Sequence, residues 1–260
     1  MILRTAIVTG AASGIGALAV QRLRARGVNV VAADRTPMLT GLYAGDRGIV
    51  TAVGDVTDPG YAPDLVRTAE TAFGPVDQLF HSAGIMPAGE IGDIPIEQFL
   101  TVVDVNYIGT VRMTRAVLPS MRERRSGQII VLGSITGYIP SKGFAAYSAS
   151  KAAVNSYTET LDQEERGHGI HVLLVAPNAV KTPLLSQMSG GPAAIAALAQ
   201  KESSPLMITP DKVLDDIDRA LARRRHLCLP GARAAYTLRR LSRPRLGLEQ
   251  SAQSGVSAAR

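Results

Sequence analysis

Tyr147 and Lys151, four residues apart, with Ser134 thirteen residues ahead of the tyrosine, form a constellation able to move a proton. A free phenol is a poor acid at neutral pH, with a pKa near ~10. A cation held beside it favours the phenolate and brings that value toward a useful range. Positions four apart on a helix share one face, one turn from each other, so Lys151 is placed to supply the cation. Residues 145–162 read as that helix, and residues 128–134 as an apolar strand ending at Ser134. Open parallel sheets place their ligands at the carboxyl ends of strands, which puts the serine hydroxyl at a binding position.

The N-terminal region supplies a second constellation. Residues 2–8 are a short apolar, β-branched run, followed by Thr9, Gly10, Ser13, Gly14, Ile15 and Gly16, and then by a helical pattern over 17–26. Glycines at a strand-to-helix turn let the backbone approach a pyrophosphate, which the positive end of the helix attracts. A second strand, 28–33, leads into Asp34, 18 residues beyond Gly16. A carboxylate at that place accepts hydrogen bonds from the ribose diol of an adenosine.

Strand and helix patterns alternate along the rest of the chain. Strands are expected at 48–53, 78–81, 128–134, 171–176 and 226–229, with helices at 63–73, 96–117 and 145–162. That rhythm predicts an α/β fold, a doubly wound parallel sheet of about seven strands with helices on both faces. There are no internal repeats. Residues 183–210, rich in Leu, Met, Ala and Gly and nearly uncharged, break the rhythm, as substrate lids do.

Taken together, Thr9, Gly10, Gly14, Gly16, Asp55, the run His81-Ser82-Ala83-Gly84, Asn106, Ser134, Tyr147, Lys151, Pro177, Asn178 and Thr182 fall in the order and spacing of the short-chain dehydrogenase/reductase family. The likeness covers about residues 2–230. The resemblance implies a single-domain Rossmann enzyme that uses a nicotinamide cofactor to interconvert alcohols and carbonyls. It implies Tyr147 as general acid and base, Lys151 on the nicotinamide ribose, Ser134 on the substrate oxygen, and Asn106 holding a water that extends the proton relay from Lys151. It also implies Asp55 and Val56 at the adenine, Thr182 at the carboxamide, and Gly10, Ser13, Gly14, Ile15, Gly16, Asp34, Ala83, Gly84, Pro177 and Val180 around the rest of the cofactor. Two positions depart from the family pattern. His81 and Ser82 stand where two asparagines are usual, which removes amides that help hold the central sheet. Asn178 stands where glycine is usual, a mild change if the backbone there is left-handed, since Asn tolerates that region.

Asp34 favours NAD(H), because a carboxylate repels a 2′-phosphate; Arg35 beside it is the one feature that would suit NADP(H). The expected substrate is a mostly apolar secondary alcohol or ketone. Met86, Tyr138, Ile139 and Phe144 flank the motifs and are candidates for the pocket wall. The family also implies a homodimer or homotetramer built on the helices around 96–117 and 145–162. Two other readings stay open: a non-catalytic dinucleotide sensor or scaffold, and a membrane-peripheral lipid or steroid reductase using NADP(H).

Composition sets limits. The 260 residues can bury one full core. The single cysteine, Cys228, excludes an internal disulfide framework and reads as a buried structural thiol. The four histidines show no metal spacing, and no run reaches the ~18 apolar residues of a membrane span. The first strand begins at once, which leaves no signal peptide, and a cytoplasmic protein is expected. The net charge of +6 belongs to the end of the chain: residues 223–260 carry nine arginines and one acid, leaving the remainder at −2. Nothing in the body therefore asks for nucleic acid. Arg122, Arg124 and Arg125 read as a solvated helix end.

The expected boundaries are a catalytic domain over 1–231 and a basic C-terminal segment over 232–260. Within that segment, 232–243 can form an amphipathic helix with Ala235, Leu238 and Leu241 on one face, ended by Pro244. The polar stretch 251–260 is expected to be mobile. The helix is expected to dock on the enzyme's own surface or a neighbouring subunit, beside the substrate entrance. Contact with a membrane or an acidic partner is the alternative.

Overall fold

The computed structural model describes residues 2–187 and 207–242. Most of the expected lid and everything beyond 242, including the stretch expected to be mobile, lie outside the described residues. Among those described, seven short runs rich in Val, Ile, Leu and Ala form β1 (Thr5–Thr9), β2 (Asn29–Asp34), β3 (Ile49–Val53), β4 (Gln78–His81), β5 (Gly127–Leu132), β6 (Ile170–Val175) and β7 (Leu227–Cys228). They pair in parallel in the order β3-β2-β1-β4-β5-β6-β7. The chain runs outward from β1 to β3, then returns to β4 on the other side of β1. Where the winding reverses, the loops leaving β1 and β4 part and open a crevice at the carboxyl ends of the strands.

The central strands are buried on both faces because helices cover both. Ala6 and Val8 point toward α1 (Gly14–Ala25) and α7 (Pro210–Ala222), while Ile7 points the opposite way, toward α3 (Tyr61–Phe73), α5 (Gly109–Glu123) and α6 (Ala145–Glu165). This explains why the strands read as continuous apolar runs and not as alternating ones. A short α2 (Leu39–Leu42) and a last helix α8 (Arg233–Ser242) complete the set, with α4 (Ile96–Val103) ahead of α5. None of the described helices is long and apolar enough to cross a membrane. Cys228 is buried, which pushes its thiol up to about 11.

Three expectations need correction. The helix expected over 96–117 is not continuous: a π turn at Asp104–Ile108 separates α4 from α5. There Asn106 spends its amide on the neighbouring loop, accepting from the Ile85 amide at 2.8 Å and donating to the Ile85 carbonyl at 3.0 Å, and its own carbonyl accepts from the Thr110 hydroxyl. Such bulges tend to mark functional sites. The arginines at the end of α5, with Arg122 and Arg125 exposed as a solvated end would be, are structural ties as well. Arg122 pairs with the fully buried Glu165, Arg124 donates to Asp77 and the Val76 carbonyl, and Arg125 donates to the Gly167 carbonyl. Asn178 has no left-handed backbone: among the described non-glycine residues only Arg125 and Arg224 have positive φ. The substitution for glycine at 178 therefore carries no strain.

The loss of the usual asparagine at 81 has a structural answer. His81 Nδ1 lies 2.8 Å from the Thr9 hydroxyl, tying the end of β4 to the end of β1. Thr9 Oγ1 already accepts from the amides of Ser82 and Ala83, so its proton goes to His81 Nδ1. The ring is thereby assigned as neutral with its proton on Nε2. Burial, together with the positive charge of Lys151, pushes its pKa down to about 3. In the unfolded chain the same imidazole takes a proton near ~6.5. The stability that depends on a neutral His81 is thus present above ~6.5 and lost as pH falls toward 3, at up to ~1.4 kcal/mol per pH unit. His81→Asn should flatten the acid limb of the stability curve relative to the parent, measured by urea unfolding at stepped pH. An unchanged acid dependence would show that the buried imidazole does not set it.

Candidate active site

Glycine makes the turn after β1 possible. Gly10 and Gly14 have φ of +66° and +54°. A Cβ on Gly16 would stand 2.1 Å from the Gly10 carbonyl oxygen, so the start of α1 can lie against the turn only without a side chain there. Ser13 stands at the N-cap of α1 in extended conformation and makes no capping bond, which leaves its hydroxyl and the first-turn amides of Ile15 and Gly16 directed to the crevice. A glycine turn, a free hydroxyl and a helix N-terminus together suit a pyrophosphate.

One cleft of about 650 Å³ runs from this turn to Tyr147. That volume lies within the range of small-molecule and cofactor sites. At its outer end, after β2, Asp34 is held by two backbone donors: the Ala12 amide at 3.0 Å on one oxygen and the Thr36 amide at 3.1 Å on the other. Each oxygen keeps a lone pair for a ligand hydroxyl. Arg35 shares this end. Asp55 and Val56, after β3, form the opposite wall, and Asp55 accepts from both the amide and the hydroxyl of Thr57. Ala83 and Gly84, after β4, form the floor. Pro177, Val180 and Thr182, after β6, form the far wall, with the Thr182 methyl 3.2 Å from where a Gly14 Cβ would stand. These residues fit a dinucleotide, and the expected set meets in one place.

At the inner end α6 brings Tyr147 and Lys151 against the end of β5. Both are buried. Lys151 Nζ donates to the Leu132 carbonyl at 2.7 Å and lies 5.9 Å from the centre of the tyrosine ring. Ser134 Oγ accepts from the amide and the hydroxyl of Thr136, so its own proton is left for the cleft, on the side of Tyr147. The expected lowering of the phenol pKa by Lys151 is not what this arrangement produces. Burial pushes Tyr147 up to about 12, and the Ser134 hydroxyl only partly opposes it. The ammonium is engaged with a carbonyl and does not reach the phenol oxygen. Burial also lowers Lys151, to about 8, so it is mostly protonated at neutral pH.

Asn106 stands behind the cleft and does not line it. Its carboxamide oxygen is 3.1 Å from where a Gly84 Cβ would be, and its Nδ2 donates to Ser150 on α6 at 2.9 Å. It therefore braces the Gly84 loop against the catalytic helix. Met86, Ile139 and Phe144 line the inner end as expected, whereas Tyr138 turns outward and donates to Glu159. A further residue, Asn155, escaped the sequence reading. Its Nδ2 donates to the Ser134 carbonyl at 2.9 Å and its Oδ1 accepts from the Ser134 amide at 3.4 Å, which fixes the serine. The helical spacing Tyr147, Lys151, Asn155 was its available signal. The C-terminal helix also differs from expectation. Its contact face is Ala232 and Tyr236, with Ala235 at the cleft, while Leu238 and Leu241 are 68% and 74% exposed.

Comparison with known proteins agrees with this geometry. A family model described as short chain dehydrogenase matches residues 4–191. An uncharacterized oxidoreductase of Staphylococcus saprophyticus is 37% identical over 194 residues, covering 72% of this chain and 83% of its own length. One from Staphylococcus epidermidis is 34% identical over 183 residues, covering 70% and 80%. The solved structure of a short chain dehydrogenase/reductase from Burkholderia phymatum in complex with NAD has the same fold, with a TM-score of 0.79 over 91% of this chain and 92% of that one at 24% identity. The solved structure of gox2181 is 29% identical, with a TM-score of 0.76 over 92% and 97%. The chain belongs to the short chain dehydrogenase family of oxidoreductases.

Proposed function

We propose that the protein interconverts a mostly apolar secondary alcohol and its ketone using NAD(H). The observation that carries this reading is a buried phenol, with the Ser134 hydroxyl and the Lys151 ammonium beside it, at one end of a cleft whose other end suits a dinucleotide. The NAD held by the solved relative from Burkholderia phymatum supports the cofactor. When bound, the nicotinamide would supply the hydride for reduction and accept it in oxidation. Tyr147 then gives its proton to the carbonyl oxygen, or takes one from the alcohol. Ser134 donates to the same oxygen and fixes it within reach of the phenol. Lys151 holds positive charge behind them. The inner wall of Met86, Phe144, Leu184 and Leu185 around Tyr147 excludes water and favours apolar substituents.

Tyr147→Phe should lower kcat by ~10²–10⁴-fold in both directions while NADH binding, followed by fluorescence, stays near that of the parent. Near-parental turnover in this variant would sink the mechanism. In the parent, the high phenol pKa makes reduction nearly independent of pH around neutrality, because the acid form is fully populated. Oxidation needs the phenolate, so its rate should rise with pH.

Asp34 supports NAD(H) over NADP(H), since its carboxylate is held in place by the Ala12 and Thr36 amides and would face a 2′-phosphate. Asp34→Ala should shift kcat/KM toward NADP(H), with Arg35 then free to meet the phosphate. A parent that already prefers NADP(H) would overturn the assignment.

A homo-oligomer built on α4, α5 and α6 is part of the same reading. Ile96 and Leu100 leave apolar surface exposed on α4, one turn apart. Light scattering at micromolar concentration should return a dimer or tetramer. A monomer with full activity would contradict it.

A further inference from the structure

Beyond the catalytic and cofactor groups, the described residues place one more element at the cleft: the C-terminal helix α8. It is tied to the cleft wall before it begins. The Asn178 amide donates to the Pro230 carbonyl at 2.9 Å, directly after Pro177, which lines the cleft. Gly231 has φ of +67°, and a Cβ there would stand 2.9 Å from Ile208 Cγ2, so the turn into α8 accepts only glycine. Ala232 is buried beneath the first turn.

From this anchor α8 reaches the cleft. Ala235, which is exposed, lines it, as do Leu184, Leu185 and Phe144. The Tyr236 ring meets the Tyr138 ring edge to face, 4.8 Å between centres at 71°. Tyr138 in turn donates its hydroxyl to Glu159 on α6, more than three turns beyond Tyr147 on the same helix. The Arg240 guanidinium lies 5.9 Å from the centre of the Tyr236 ring. One chain of contacts therefore runs from the catalytic helix through Tyr138 and Tyr236 to α8. Burial, reinforced by Glu159, pushes the Tyr138 hydroxyl far above its ordinary range, so this donor keeps its proton throughout the working pH range.

We propose that Ala235, held in place by Tyr236, forms the outer wall of the apolar end of the cleft and sets the largest ketone or alcohol that reaches Tyr147. The inference rests on the alcohol–ketone reading. The Tyr236 ring is the part that holds the wall in place, because it is the side chain of α8 packed on an aromatic of the body. Shortening it releases Ala235 and widens the entrance without touching Tyr147, Ser134, Lys151 or the dinucleotide end. Tyr236 is thus a positioning residue for substrate size, not a catalytic one.

The test uses the full chain and three ketones of rising bulk: cyclohexanone, decalone and a steroid ketone. Tyr236→Ala should raise the kcat/KM ratio of the largest to the smallest ketone by about tenfold, mainly through KM, the scale of discrimination that a pocket wall supplies. Tyr236→Phe, which keeps the ring, should retain the parental ratio. NADH affinity should match the parent in both variants, which separates a widened wall from a damaged fold. Binding of the same ketones to the parent and to Tyr236→Ala, measured by calorimetry in the presence of NADH, is the second arm. Parent protein that binds the panel in order of size but reduces none of it would overturn the oxidoreductase reading, and a binding order relaxed in Tyr236→Ala would still support the wall. An unchanged size order in both binding and turnover, a loss of NADH affinity in Tyr236→Ala, or binding of no ketone by either protein would overturn the proposal.

Discussion

The face that α6 presents to the end of β5 is the contact on which the site depends. Three side chains on it, at successive helical turns, each do a different task. Tyr147 enters the cleft, Lys151 donates to the Leu132 carbonyl, and Asn155 grips both the amide and the carbonyl of Ser134. The Tyr147 phenol, the Lys151 ammonium and the Ser134 hydroxyl are therefore referenced to one helix and one strand end. A site held this way keeps its geometry through the loop motions needed for ligand entry.

Burial sets the charge states of this site more than neighbouring charges do. It raises Tyr147, lowers Lys151 and holds His81 neutral beneath them. Removal of water is the largest cause of all three shifts, and each moves the group toward its uncharged form. The phenol thus starts as a ready acid. His81 adds no charge below the ammonium while tying β1 to β4 through Thr9, so the imidazole fills the structural place of an amide without competing for the proton.

Much of this was legible in the sequence because it is written in local signals. The glycine turn, the acid closing β2, and the Tyr147 and Lys151 spacing each report a backbone conformation or a helix face. Apolar runs located all seven strands to within a few residues. What escaped depends on partners distant in sequence. Nothing around residue 106 signals a π turn, where Asn106 bonds the Ile85 backbone, 21 residues away. The ties made by the arginines at the end of α5 were not legible because their acceptors, Glu165, Asp77 and the Gly167 carbonyl, are contributed by other segments. The contact face of α8 was misread because Tyr138, the ring that Tyr236 meets, is almost a hundred residues earlier in the chain. Likewise, helical spacing put Lys151 on the same face as Tyr147 but could not show that its ammonium turns to a carbonyl.

The central claim is that hydride moves between a dinucleotide and a carbon whose oxygen is held by Tyr147 and Ser134. Its most direct test is the fate of deuterium when a ketone is reduced with NADH deuterated at the hydride-donating position. The account predicts that the label appears at the carbinol carbon of the product, while the hydroxyl proton comes from solvent by way of Tyr147. Product carrying only solvent hydrogen at that carbon would contradict it.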